Sequence, residues 1–192
     1  MHLIGQVVRL QVQTRSLKVG ERPNRRYDPA PISAVARLTV DDGGVIGWDR
    51  RGGRLDDVHN RDHAASKNNG RNPVSFGFTA HYAAMRARFG AHLTDGVAGE
   101  NLLVASSAEL LEADGDLLVE GPDGRRVRLG RVLVAAPCVE FSRFALGRPT
   151  TEDAEGPLVK GALQFLHRGM RGYYATPEEP GEVELGDLVY RL

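Results

Sequence analysis

Val8, Leu10 and Val12 alternate with Arg9, Gln11 and Gln13, the two-residue period that predicts a half-buried strand. A second alternation runs from Ile32 to Val40, with Ala34, Ala36 and Leu38 on one face and Val35, Arg37 and Thr39 on the other. Asp41-Asp42-Gly43-Gly44 ends it with turn residues. From Gly47 to Pro73 apolar periodicity all but vanishes, and a polar stretch of that length predicts a lid, a binding loop or a disordered segment. The period then changes. Phe78, Tyr82, Met85 and Phe89 share one helical stripe, with Gly90 as its stop, and core packing is the role expected of them. Short strands are predicted over Asn101–Val104, Leu117–Glu120, Arg125–Leu129 and Val132–Ala135, with Gly121-Pro122-Asp123-Gly124 closing a hairpin. A second helix is predicted over Glu152–His167. Thr150 stands three residues before Asp153 in the manner of a capping box, Leu158, Ala162 and Phe165 form the buried stripe, and His167, Arg168 and Gly169 suit its end. Gly156-Pro157 is the point at which that helix would break. Val183, Leu185 and Leu188–Leu192 give a last strand around the Gly186-Asp187 bend.

Many short strands with two helices and no βαβ alternation exclude a Rossmann arrangement. They predict a mainly β fold with peripheral helices (α+β), a twisted and partly closed β-barrel. No repeat or low-complexity linker divides the chain, so residues 1–192 are expected to form a single domain. At 192 residues and 41% hydrophobic, it is long enough to fold without disulfides or a structural metal. The 25 basic and 25 acidic residues cancel, which disfavours a nucleic-acid-holding role. All but Lys18, Lys67 and Lys160 of the basic residues are arginine. Genome composition accounts for such a bias, although guanidinium also suits phosphates and carboxylates. The single cysteine fits a reducing compartment. No export signal is expected in MHLIGQVVRLQVQTR and no apolar run reaches the roughly 20 residues of a membrane helix, so a cytoplasmic protein without membrane contact is expected.

Four clusters carry candidate chemistry. Cys138 follows a predicted strand behind Pro137, and Arg143 and Arg148 are near enough in sequence to favour its thiolate; an isolated cysteine is otherwise a small buried hydrophobe. Gly96-Val97-Ala98-Gly99-Glu100-Asn101 can bring backbone N–H groups, Glu100 and Asn101 against a ligand, or simply form a turn. His59 and His63 stand four apart, but Asn60 replaces the glutamate of a zinc protease, leaving two solvated loop histidines as the default. His167, Arg168 and Arg171 make a basic cluster flanked by glycines, fit for an anion or for a helix end. The adjacent carboxylates Asp41-Asp42 and Asp56-Asp57 read as turn and surface residues.

In order along the chain these pieces resemble the MOSC domain, named for the carboxy-terminal domain of molybdenum cofactor sulfurases. The resemblance lies in Gly5-Gln6-Val7-Val8, Pro31-Ile32-Ser33-Ala34-Val35 leading to Val45-Ile46-Gly47, and the helix around His81-Tyr82. It continues through GVAGENLLV, a basic hairpin, Pro137-Cys138, and Arg171-Gly172-Tyr173-Tyr174 leading into Val183-Glu184-Leu185-Gly186-Asp187. It implies a barrel like the pyruvate kinase barrel domain. It also implies that Cys138 carries sulfur or ligates the molybdenum of a molybdopterin-type molybdenum cofactor, in a family some of whose members reduce N-hydroxylated compounds. Glu100 and Asn101 would then line the same pocket, and Arg168 or Arg171 would meet the cofactor's phosphate. A separate redox partner or sulfur donor protein and a small-molecule substrate are implied partners. Where the family often shows Gly-Asp-x-x-His-Gly-Gly, Asp57 and His59 are the remnant here, without the glycine pair.

Overall fold

The structure, a computed structural model, describes residues 1–106, 115–147 and 156–192. Its centre is a closed seven-stranded barrel. The long first strand, β1 (His2–Gln13), pairs antiparallel with β14 (Leu188–Arg191) on one side and β9 (Leu102–Ala105) on the other. Round the barrel from β14 come β10 (Leu117–Glu120), β11 (Arg126–Val134), β12 (Tyr173–Pro177) and β8 (Val74–Phe78), which lies parallel to β9. The barrel expected to be partly closed is therefore shut by the β1–β14 ladder, which leaves neither strand an open edge there.

Several details differ from simple alternation. A register shift between Val7 and Arg9 turns Val8 out to solvent, so Val7, Leu10 and Val12 are the buried apolar members of β1. The run predicted from Ile32 to Val40 breaks at Val35-Ala36. Its first part, β4 (Ile32–Ala34), extends from the far end of β1. Its second, β5 (Arg37–Asp41), joins β6 (Gly44–Trp48), β7 (Arg54–Asp56) and β13 (Gly181–Glu184) in a separate four-stranded sheet. The two strands predicted over 125–129 and 132–135 are one, β11, with a bulge where Arg131 takes φ 52. A two-stranded ribbon, β2 (Lys18–Val19) with β3 (Arg26–Tyr27), lies outside the barrel.

The interior is filled by Leu10, Leu38, Phe76, Phe78, Leu102, Leu129 and Tyr173 among others. A second core lies outside the wall, where the helices seat. Helix α1 (Thr79–Phe89) buries Tyr82 and Met85 from the predicted stripe, with Phe78 at its N-cap and Phe89 half-buried. Helix α3 (Pro157–Leu166) starts at the Gly156-Pro157 break, with proline in the first turn. Thr150 and Asp153 lie outside the described residues. The stripe of α3 is Val159, Ala162 and Leu166; Leu158 faces solvent and Phe165 is half-buried. Helix α2 (Val139–Ala145) was not predicted. Its seven residues are too few to show a period, and packing of Phe141 and Phe144 on Tyr27, with ring centroids 5.0 and 5.2 Å apart, holds it against the ribbon.

Candidate functional site

Cys138 is the N-cap of α2 and not the end of a strand, since Ala135-Ala136-Pro137 separates it from β11. Its Sγ accepts a hydrogen bond from the Phe141 N–H at 3.5 Å, and the residue is half-exposed. It lies where two pockets meet. An inner cavity of about 140 Å3 opens among the C-terminal end of β1, the ribbon, the 57–73 segment and the starts of β8 and β12. A wider outer pocket of about 600 Å3 lies towards α2, and Lys18 and Cys138 line both.

The inner cavity is lined by Gln13, Tyr27, His59, Lys67, Arg171 and Tyr174 among others. Two of the three lysines in the chain thus converge on it. Burial, and then the like charges of Lys18 and Arg25, push the Lys67 ammonium below its usual range. Arg171 donates to the Ala98 carbonyl at 3.1 Å and lies over the Phe141 ring, but its Nε is buried without a hydrogen-bond partner among the described residues. Burial drives the Tyr27 phenol far above its usual value, so that it remains a neutral donor, bonded to the Val97 carbonyl at 2.7 Å.

His59 reaches the cavity because Asp57 holds it. The Asp57 carboxylate is fully buried and accepts four N–H bonds: Gln13 N (2.7 Å) and Asn101 Nδ2 (2.9 Å) on one oxygen, His59 N (2.8 Å) and His59 Nδ1 (3.0 Å) on the other. With Nδ1–H committed to the carboxylate, Nε2 is the nitrogen left for the cavity. The expectation of two solvated histidines therefore fails. His63 is also engaged, at 3.1 Å from the Thr14 carbonyl, where it pins the 57–73 segment. That segment is irregular in backbone but tied down: Lys67 N–H bonds the Val58 carbonyl, and Asn60, Ser66, Asn68 and Asn72 close its turns. Asp57, placed on the surface from sequence, is the buried hub of the site.

Glu100 and Asn101 do not line the cavity; Gly99 does. Asn101 lies one layer behind, 2% exposed, with its carbonyl oxygen bonded to Ser75 N and Oγ and its amide to Gln11 O and Asp57. It is a clamp between β1, β8 and the Asp57 hub. Glu100 is buried beneath α1, where it accepts from the Tyr82 hydroxyl at 2.9 Å while its Oε1 has no partner. Burial raises its carboxyl above the ordinary range, against the pull of Arg171 and Arg9. Their exclusion from the surface follows from Gln11 and Gln13, whose amides bond the carbonyls of Gly96 and Gly99 and draw that loop flat against β1. Arg168 is exposed with φ 58 and lies beside His167 and Gln164 on a different groove, beyond Pro137. Of the two arginines, only Arg171 reaches the thiol's cavity. Arg148 lies outside the described residues, while Arg143 lines the outer pocket. Lys18 and Lys67 carry no local signal that marks them as cavity residues, because separate segments bring them to Cys138, whereas Arg143 is its near neighbour in sequence.

Among the described residues no group of three or more His, Cys, Asp or Glu side chains is placed to hold a metal ion. No helix among them is long and apolar enough to cross a membrane. A closed antiparallel-rich barrel with one thiol at a cation-lined cavity defines a cysteine-centred barrel domain. A family model for the MOSC domain matches residues 56–190, and the chain belongs to that family. Among solved structures, it is similar to the YuaD protein from Bacillus subtilis at 15% identity and TM-score 0.55, covering 97% of this chain and 92% of that one. It is similar also to YiiM from Geobacillus stearothermophilus (18%, TM-score 0.53, 97% and 74%) and to YiiM from Escherichia coli (15%, TM-score 0.51, 83% and 64%). At these identities the likeness is one of fold. No curated protein matches the sequence.

Proposed function

We propose that the chain binds a molybdopterin-type molybdenum cofactor, with Cys138 as the protein's ligand to the metal, and reduces N-hydroxylated small molecules with electrons from a separate redox partner. The observation that carries this reading is the single half-exposed thiol between two pockets, with Lys18, Lys67 and Arg171 around the inner one. The donor set fits: a lone soft thiolate suits a metal that arrives already held by its organic group, and no all-protein metal cage stands among the described residues. Arg171, a cation lining the inner cavity, is suited to an anionic group of the ligand.

When bound, the cofactor supplies two-electron redox chemistry, by which an N–OH group with two electrons and two protons becomes N–H and water. The chain's own part is to bind, orient and move protons. Cys138 anchors, and Arg171 and the two lysines balance negative charge. His59, its Nδ1–H held by Asp57, presents Nε2 to a substrate oxygen as hydrogen-bond partner and proton carrier.

Cys138→Ser tests the ligation. Serine is a favoured N-cap and can accept the same Phe141 N–H, so folding should be kept. Protein from a molybdopterin-competent host should carry near-stoichiometric molybdenum and pterin fluorescence, lost in the variant. Unchanged metal in Cys138→Ser, or none in the parent, overturns the reading. A second reading, carriage of sulfur as a Cys138 persulfide, is favoured by the width of the outer pocket, which gives another molecule access to the thiol. A cyanide-labile gain of one sulfur atom by mass spectrometry would support it over the first.

A further inference from the structure

The outer pocket holds a charge imbalance that the inner cavity does not explain. Lys18, Arg22, Arg25 and Arg143 line it, and among the described residues Glu140 is the one acid in its lining. That acid is already engaged: Arg25 binds its Oε1 through Nε at 2.6 Å and Nη2 at 2.5 Å, and Lys18 Nζ stands 3.9 Å from Oε2. Burial works to raise the Glu140 carboxyl, but its own backbone N–H, Arg25 and Lys18 outweigh this and hold it below the usual range. Arg22 and Arg143 are left over. Arg143 is only 5% exposed, and its Nε is buried with no hydrogen-bond partner among the described residues. A buried donor without a partner is unfavourable, and the side chain that carries this one lines the outer pocket.

We propose that the outer pocket is an oxyanion-binding site, in which Arg143 and Arg22 hold the carboxylate or phosphate of a small-molecule ligand whose other end reaches Cys138. This deepens the reading of Cys138 as the reactive centre and rests on it for the ligand's role, but the site itself does not require a bound cofactor. Planar guanidinium with two parallel donors matches either oxyanion, and Arg143, fixed by burial, has little rotamer freedom left to lose. The substrates implied are N-hydroxylated compounds that also carry an acid group, set one pocket-length from the nitrogen.

Inorganic phosphate is the probe. Titrated into the cofactor-free protein at low ionic strength, it should bind saturably and slow alkylation of Cys138 by iodoacetamide, because the pocket and the thiol adjoin. Arg143→Met and Arg22→Ser should each weaken phosphate binding about tenfold or more, the loss of one charge-assisted contact; Arg22 is exposed, so its variant is safe for folding. Absence of saturable binding, or equal binding by both variants, overturns the site. Repeating the titration on cofactor-loaded protein separates the sources of the anion. Retained binding supports a ligand other than the cofactor; lost binding assigns the pocket to the cofactor's own phosphate and overturns the proposal. A protein that takes up no molybdenum would sink the function proposed above while leaving the phosphate titration to decide the anion site.

Discussion

Replacing Asp57 by asparagine is the sharpest test of how the site is built, because it changes hydrogen-bond polarity and almost nothing in shape. The carboxylate is acceptor-only, and all four groups around it are donors. An asparagine must turn its NH2 towards one of the two pairs. Facing Gln13 N and Asn101 Nδ2, it would strand two buried donors. Facing His59, it would strand the His59 N–H but could donate to Nδ1 if the ring changes tautomer, so this orientation is favoured. The variant then loses the His59 N–H contact outright, reverses the Nδ1 contact, and weakens the other two by removing the charge. At about 1.5 kcal/mol or more for each hydrogen bond to a charged group, destabilisation of about 3–5 kcal/mol is expected. In a domain of this size that is a fall in Tm of about 10 °C. Urea unfolding measures the first number, and 15N chemical shifts of the imidazole report the tautomer. Destabilisation under about 1 kcal/mol, or a His59 still protonated at Nδ1 in the variant, would refute the role given to Asp57.

Three further outcomes follow from the same geometry. Because burial raises the Glu100 carboxyl above its ordinary 4.5, the folded state holds that proton more tightly than the unfolded one, and stability is lost as pH rises above the unfolded value. Glu100→Gln should therefore gain on the parent in urea unfolding as pH rises above 4.5; a relative loss there contradicts the burial argument. Gly172→Ala should be more destabilising than Gly147→Ala by about 2 kcal/mol in thermal unfolding. Both glycines have positive φ, but a Cβ at 172 would stand 2.7 Å from the Phe76 backbone oxygen while one at 147 meets nothing within 4 Å among the described residues; equal effects would show that the Gly172–Phe76 approach is unimportant. Cys138→Ser should leave unfolding within about 0.5 kcal/mol of the parent, since the N-cap bond is kept; a large loss would make the cysteine a packing residue.

The barrel class was legible from residue order alone. Short alternating runs, the Asp41–Gly44 and Gly121–Gly124 turns and the Phe78–Phe89 stripe depend on local periodicity and turn chemistry, and these are properties of consecutive residues. The cysteine and His59 could be singled out for the same reason, as reactive side chains in a recognisable order. Tertiary structure decided the rest. A bulge in β1 moved Val8 outward, the packing of Phe141 and Phe144 on Tyr27 made a helix too short to announce itself, and the pull of Gln11 and Gln13 on the Gly96–Gly99 turn put Glu100 and Asn101 behind the cavity wall. Above all, Asp57 became the hub, and Lys18 and Lys67 came to stand with Cys138, through contacts between segments far apart in the chain. Sequence neighbours determine which local shapes are accessible; only closure of the barrel determines which distant donors meet one carboxylate and which charges face one thiol.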